Sequence, residues 1–259
     1  MVWAAIFIIV PLFIVAVYAF TDADGAFSLE NIGSLWDYRQ NFLISVEYSL
    51  AATAISLIIA YPFAFILSKA SEKSQRTQTM LIMLPMWMNM LITTYSWMVI
   101  LENNGIINNV LKAINLPAVK FLGTPGAVIL GMVYNYLPYM ILPIYTVMAK
   151  LDNSLVEAAR DLGCNGFQTW LRLILPLSMP GVISGITMVF VPSVSTFYIS
   201  QKLGNGKIVL IGDTIERQMR QDYNYNLGAA ISLVLMIFIL VSMFIMNRFS
   251  DSEEGGIVA

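Results

Sequence analysis

Residues 157–181 read EAARDLGCNGFQTWLRLILPLSMPG, and this stretch decides how the rest of the chain is understood. It sets two acids, two arginines and three glycines between long apolar runs. Upstream, Asp152 or Asn153 is placed to cap a helix, the residues that follow are good helix formers, and Gly163 supplies a stop. A second helix then starts in NGFQTWLRLILP, with Phe167, Trp170, Leu171 and Ile174 on a membrane-facing side, and is expected to end at Pro176. The product is a helix–turn–helix between two membrane spans. Ala158 and Ala159 keep its surface small, while Glu157, Arg160 and Asp161 offer charge for pairing across a protein interface. A passive solvated loop would need neither the small residues nor so definite a turn.

Composition places the stretch in context. Of 259 residues, 58% are hydrophobic and 12% are charged, and the mean hydropathy is +0.73; a soluble domain carries about 25% charged residues. The chain therefore reads as an integral membrane protein. A single cysteine, Cys164, excludes an internal disulfide, and the absence of histidine removes the usual general base and the commonest metal ligand. A net charge of −2 with no basic run argues against nucleic acid as a partner.

Six segments have the roughly 20 apolar residues needed to cross a bilayer, near 2–20, 44–68, 79–101, 124–148, 181–200 and 227–247. They read as one transmembrane domain over 1–259, all-α. The first has no basic leader and too long an apolar run for a signal peptide, so it reads as a span. The short link 69–77, with Lys69, Lys73 and Arg76, is expected to face the cytoplasm, which puts both termini and the 149–180 loop inside. Outside, Ile106, Ile107, Val110, Leu111 and Ile114 have the spacing of an interfacial helix. The run KIVLIGDTIERQMRQDYNYN reads as a turn into a charged helix.

Catalytic signatures are missing. Gly206-Lys207 lacks the first glycine and the hydroxyl of a phosphate loop, and no zinc-ligand pair or Gly-x-Ser-x-Gly occurs. No cofactor is expected on this chain, and it cannot hydrolyse ATP alone. The spans do hold polar residues at helical spacing: Asn89, Thr93 and Ser96 in the third, Ser184, Thr187, Ser195 and Tyr198 in the fifth. Such stripes read either as the wall of a water-filled path or as helix–helix contacts, the second including Gly181 and Gly185. Glu47 enters a span near its outer boundary. Tyr134, Tyr136, Tyr139 and Tyr145 crowd the fourth span, where Tyr134, Pro138, Ile141 and Tyr145 share a face; aromatic faces attract organic cations, and a belt of interfacial aromatics is the other reading. Path candidates are Glu47, Asn89, Thr93, Tyr134, Tyr139 and Thr196.

The order Glu157-Ala158-Ala159, three residues, Gly163, nine residues, Leu173, one residue, Leu175-Pro176 resembles the EAA motif of ABC importer permeases, with Leu in place of Ile. Further blocks, among them AYPFAFILSKA, LPMWMNMLITTYSWMVILENNGIINNVL and GKIVLIGDTIERQM, extend the resemblance over nearly the whole chain and look closest to the permeases of spermidine/putrescine importers. The chain departs from the pattern in FVPSVSTFYISQK, where Ser195 and Thr196 stand in place of the glycine and acid of many relatives. The resemblance implies a six-span, non-catalytic subunit of the MetI-like fold in a bacterial inner membrane. Its implied partners are a similar second permease, two copies of an ATPase subunit that uses ATP and Mg, and an extracytoplasmic binding protein delivering polyamine. The motif helix would be the coupling helix seated in the ATPase, giving that role to Glu157, Ala158, Ala159 and Gly163, with Arg160 and Asp161 beside them. Alternatives are a related importer of iron, thiosulfate or phosphonate, or a stand-alone channel or secondary carrier.

Overall fold

The computed structural model describes residue 3, residues 5–22 and residues 24–254. Residues 2 and 4 of the expected first span lie outside that set. Among the described residues the chain is helical apart from turns and one isolated bridge between Thr21 and Phe27, as the apolar runs require of a chain that must satisfy its backbone inside hydrocarbon.

A π-helical turn Ala5–Ile9 leads into α1 (Val10–Ala19). Short pieces α2 (Glu30–Gly33) and a 3-10 turn, Ser34–Tyr38, run directly into α3 (Arg39–Ser68). Then come α4 (Glu72–Trp87), α5 (Met90–Leu101) and α6 (Ile106–Ala113). These are followed by α7 (Pro125–Ala149), α8 (Asn153–Asp161), α9 (Gly166–Thr169) and a π-helical turn, Trp170–Ile174. The chain closes with α10 (Leu175–Ser195), α11 (Tyr198–Leu203), α12 (Ile211–Arg220) and α13 (Tyr225–Glu254).

Among the described residues four helices are long and apolar enough to cross a bilayer, Glu30–Ser68, Pro125–Ala149, Gly166–Ser195 and Tyr225–Arg248, and a fifth if the bent pair Glu72–Trp87 and Met90–Ala113 counts as one. Ile6–Ala19 is a shorter apolar helix. Two expected spans are interrupted. The third breaks at Met88 and Asn89, where Met88 is extended and the Asn89 carboxamide caps α5 by accepting the Leu91 N–H at 2.8 Å. The fifth ends at Ser195 rather than 200, with Thr196 and Phe197 unwound before α11.

The chain divides into two compact units, one of residues 1–49, 94–128 and 193–242, the other of 50–93, 129–192 and 243–259. In the first, Ala19, Ala229 and Ala230 let α1 and α13 approach closely, with Val15, Phe20, Leu35 and Leu233 packed around them. Asn226 ties the same helices by donating to the Thr21 carbonyl at 2.7 Å. The expected interfacial helix is α6, with Ile106, Val110 and Ile114 exposed. Its inner side holds Asn108, fully buried, which donates to the carbonyls of Glu102 (3.1 Å) and Val119 (3.0 Å) and accepts the Val119 N–H (2.8 Å). Asn108→Ala strands those three backbone groups, each worth roughly 1–3 kcal/mol when buried unpaired. The expected result is a loss of about 2–4 kcal/mol, read as a lower melting temperature and faster proteolysis within residues 102–124.

In the second unit α10 lies against α7 through Gly181 and Gly185. A Cβ on Gly181 would stand 2.9 Å from the Pro143 carbonyl oxygen, and one on Gly185 would stand 2.8 Å from Met140 Sδ. The small-residue reading of this stripe is therefore realised as helix packing. Tyr145 donates to the Gln75 side chain at 3.0 Å, joining α7 to α4. Exposed side chains such as Ile58, Ile66 and Phe244 face outward, as a lipid-facing surface demands.

Candidate functional site

The helix–turn–helix predicted from residues 152–176 is present, and its ends are set by local chemistry. Asp152 caps α8 by accepting the Ser154 N–H at 2.9 Å. That backbone bond, with the Ser154 hydroxyl, holds the Asp152 carboxyl below the usual carboxylate range. At the other end Gly163 adopts φ +84°. Its N–H donates to the Arg160 carbonyl (2.8 Å) and the Cys164 N–H reaches back to the Ala159 carbonyl (3.0 Å), the paired bonds of a Schellman motif. Asn165 and Gln168 then form a reciprocal capping box, at 2.8 and 3.0 Å, that starts the next helix. Both sides of the turn are thus fixed by hydrogen bonds within residues 152–168.

The second helix does not end at Pro176. It runs on as one 30-residue helix, Gly166–Ser195, because the π-helical turn Trp170–Ile174 ends two residues before the proline and its wider ladder accommodates a residue that cannot donate. α8 is therefore linked through one rigid turn to a membrane helix. Behind the π turn, Trp170 stacks on Phe167 (5.9 Å between centroids) and meets Tyr61 of α3 edge-on at 5.9 Å. The Tyr61 hydroxyl bonds Ser178 at 2.9 Å. Tyr61 and Ser178 were not among the expected site residues; their only sequence signal was polarity inside apolar runs.

The surface of α8 is open. Glu157, Ala158, Arg160, Asp161 and Gly163 are exposed and Ala159 is half-buried. None of the three charged side chains has an ion pair among the described residues. Leu162, which sequence reasoning passed over, is 86% exposed at the tip, with Leu155 and Phe167 also exposed. Bare charges around a protruding leucine make a surface suited to a protein partner.

The path candidates are divided between the two units. In the second unit, Asn89 is the exposed cap of α5 described above, and Thr93 donates back to its carbonyl at 3.2 Å. Tyr139 is half-buried on α7 with its ring 6.5 Å from that of Tyr136, and Tyr134 is half-buried one turn before it. Ile141 of the expected aromatic face is buried. In the first unit Glu47 is exposed on α3, whereas Thr196 is 4% exposed in the unwound segment and its hydroxyl has no hydrogen-bond partner among the described residues.

Comparison with known proteins gives concordant matches. The family described as "binding-protein-dependent transport system inner membrane component" matches residues 1–253. The chain is 38% identical over 256 residues to the spermidine/putrescine transport system permease protein PotB of Haemophilus influenzae, covering 95% of this chain and 90% of that protein. It is 36% identical over 259 residues to PotB of Escherichia coli K12, covering 96% and 94%. Among solved structures, a bacterial ABC transporter involved in import of the acidic polysaccharide alginate superposes with a TM-score of 0.76 at 18% identity, over 97% of this chain and 92% of that one.

Proposed function

The chain belongs to the family of binding-protein-dependent transport system inner membrane components, and from that premise we propose that it is the permease subunit of an ATP-driven polyamine importer. The observation that carries the importer role is α8, a helix locked at both ends and bare on its outer face, built on a rigid turn into a membrane helix. The near full-length likeness to spermidine/putrescine permeases supports the substrate class.

In this reading the 149–180 loop faces the cytoplasm, both termini are inside, and the N-terminal helix and the broken α4–α5 pair complete six spans of one permease domain in a bacterial inner membrane. The chain pairs with a second permease; two ATPase subunits, which bind ATP and Mg, seat the two coupling helices, and a polyamine-loaded binding protein docks outside. ATPase closure displaces Glu157, Ala158, Ala159, Arg160 and Asp161. The Gly163 turn is hydrogen-bonded to the end of α8 and the Asn165–Gln168 box starts the next helix two residues on, so the displacement enters helix Gly166–Ser195 rather than being absorbed. Tyr61, bonded to Ser178 and packed on Trp170, carries it to α3. This chain makes and breaks no covalent bond. Its contribution is to bind ATPase and binding protein differently in two conformations, which is the only way a ligand shifts an equilibrium. The path is assigned to Tyr134, Tyr139, Asn89, Thr93 and Thr196, with Glu47 near its mouth; aromatic faces and neutral oxygens suit ammonium groups.

The test is reconstitution of the full complex with its binding protein in vesicles, measuring ATP hydrolysis with spermidine, putrescine or a phosphonate. Stimulation by a polyamine is expected. A complex that holds its ATPase but answers only to the phosphonate defeats the substrate assignment, and a chain that never retains an ATPase defeats the importer reading.

A further inference from the structure

Beyond α8, one more built polar site lies in the unit of residues 1–49, 94–128 and 193–242. Where α10 ends, Gly212 at the start of α12 packs on the unwound chain: a Cβ there would stand 2.5 Å from the Thr196 carbonyl oxygen and 2.6 Å from that of Ser195. This close approach is open to glycine alone. It brings the next residue, Asp213, against α11. Asp213 is 6% exposed; one carboxylate oxygen accepts the Leu210 N–H at 2.8 Å, and the other has no hydrogen-bond partner among the described residues.

The neighbours are committed elsewhere. Ser200 donates to the Phe197 carbonyl at 2.8 Å and Gln201 donates to Glu216 at 3.1 Å. From α3, Ser45 is taken by the Ile211 N–H (2.7 Å) and Asn41 by Thr214 (2.9 Å), both uncharged. Asp213, Glu216 and Gln201 line a cavity of about 290 Å³ whose walls include Ile208 and Val209. Arg217 also borders it, but its guanidinium pairs with Asp222 at 3.8 Å, while Arg220 stands 3.6 Å from the far oxygen of Glu216. Burial pushes the Asp213 carboxyl up to about 6, the negative charge of Glu216 adding to the rise and the Leu210 N–H opposing it. A buried carboxylate with one oxygen unsatisfied calls for a donor carrying positive charge.

We infer that Asp213, with Glu216 and Gln201, binds a primary ammonium group of the transported polyamine, its methylenes lying along Ile208 and Val209. This rests on the polyamine reading above. An ammonium supplies the missing N–H donors and the charge together, and the apolar wall suits an alkyl chain better than a hydrated metal ion. Protonation of Asp213 opposes the binding, so occupancy falls as the pH drops through the carboxyl's elevated range.

The test uses the complete transporter in vesicles with saturating spermidine-loaded binding protein, reading uptake alongside basal ATP hydrolysis. Asp213→Asn keeps an oxygen for the Leu210 N–H; it is expected to slow spermidine uptake about tenfold, leaving complex assembly and basal hydrolysis unchanged, and Asp213→Glu is expected to restore most of the rate. Wild-type uptake should decline between about pH 7 and about pH 5, whereas the asparagine variant should show no such decline. A spermidine response in wild type with equal uptake and equal pH profile in Asp213→Asn overturns this site and leaves the polyamine reading standing. No spermidine response in wild type overturns both.

Discussion

Glu157→Arg is expected to cut uptake at least about tenfold while leaving the membrane helices folded. The side chain is exposed on α8 and has no ion pair among the described residues, so reversing its charge removes nothing the fold uses, and surface changes of this kind lie within about 0.5 kcal/mol. Across a protein interface the same change loses roughly 2–5 kcal/mol when the partner charge is desolvated, which is a factor of about 30 or more in affinity. The measurement is paired: retention of the ATPase on purification and uptake in vesicles, against the melting temperature of the chain. Uptake at the wild-type rate would remove α8 from the coupling role. Gly163 gives an independent handle, because no atom lies within 4 Å of where a Cβ would stand. Only the backbone at φ +84° penalises a side chain there, at about 1–2 kcal/mol for an ordinary residue and less for asparagine, which tolerates this region. Gly163→Val should therefore impair uptake, and Gly163→Asn should retain most of it; equal behaviour of the two would mean that the turn is not a rigid link.

The helix–turn–helix of α8 and α9 was legible because capping is local chemistry. Asp152, Gly163 and Asn165 act within four or five residues of themselves, so the order of residue types already specifies the helix, the stop and the restart. Pro176 was misread because the rule that proline ends a helix assumes α geometry on its N-terminal side. The π turn at Trp170–Ile174 changes that geometry and has no signature in residue types alone. Asn89 was legible only in part: its place at i, i+4 with Thr93 is real, but the sequence did not announce that its carboxamide oxygen accepts the Leu91 N–H and starts α5. Tyr61, Ser178 and Asp213 could not be found from the sequence, since each acquires its meaning from a residue brought close by the fold: Trp170 for Tyr61, and the end of α10 resting on Gly212 for Asp213.

Gly181→Leu is expected to be the most destabilising single change in the second unit. The atoms a Cβ would meet at Gly181 are the Pro143 carbonyl oxygen at 2.9 Å, Val147 Cγ2 at 3.0 Å and Ile144 Cα at 3.1 Å. Two of the three belong to the α7 backbone and cannot rotate away, so a larger side chain must force α7 and α10 apart. Overpacking of this kind costs about 1–3 kcal/mol, and a leucine adds the loss of dispersion contacts along the separated helices. The helix-propensity gain from replacing glycine, about 1 kcal/mol, does not offset it. Gly185 makes a useful contrast: its nearest neighbour is the flexible Met140 Sδ at 2.8 Å, with the Met140 carbonyl oxygen at 3.2 Å. Gly185→Ala should then cost less than Gly181→Ala, because a methionine tip can move and a backbone cannot. Melting temperatures of the four variants, Ala and Leu at each position, test this order, and Gly181→Leu as stable as wild type would show that α10 does not pack on α7 through this face. The order also bears on transport. If α10 transmits the displacement of α8 by pressing on α7, Gly181→Ala should lower uptake by more than its loss of stability explains, since it widens a backbone contact through which the helices exchange force.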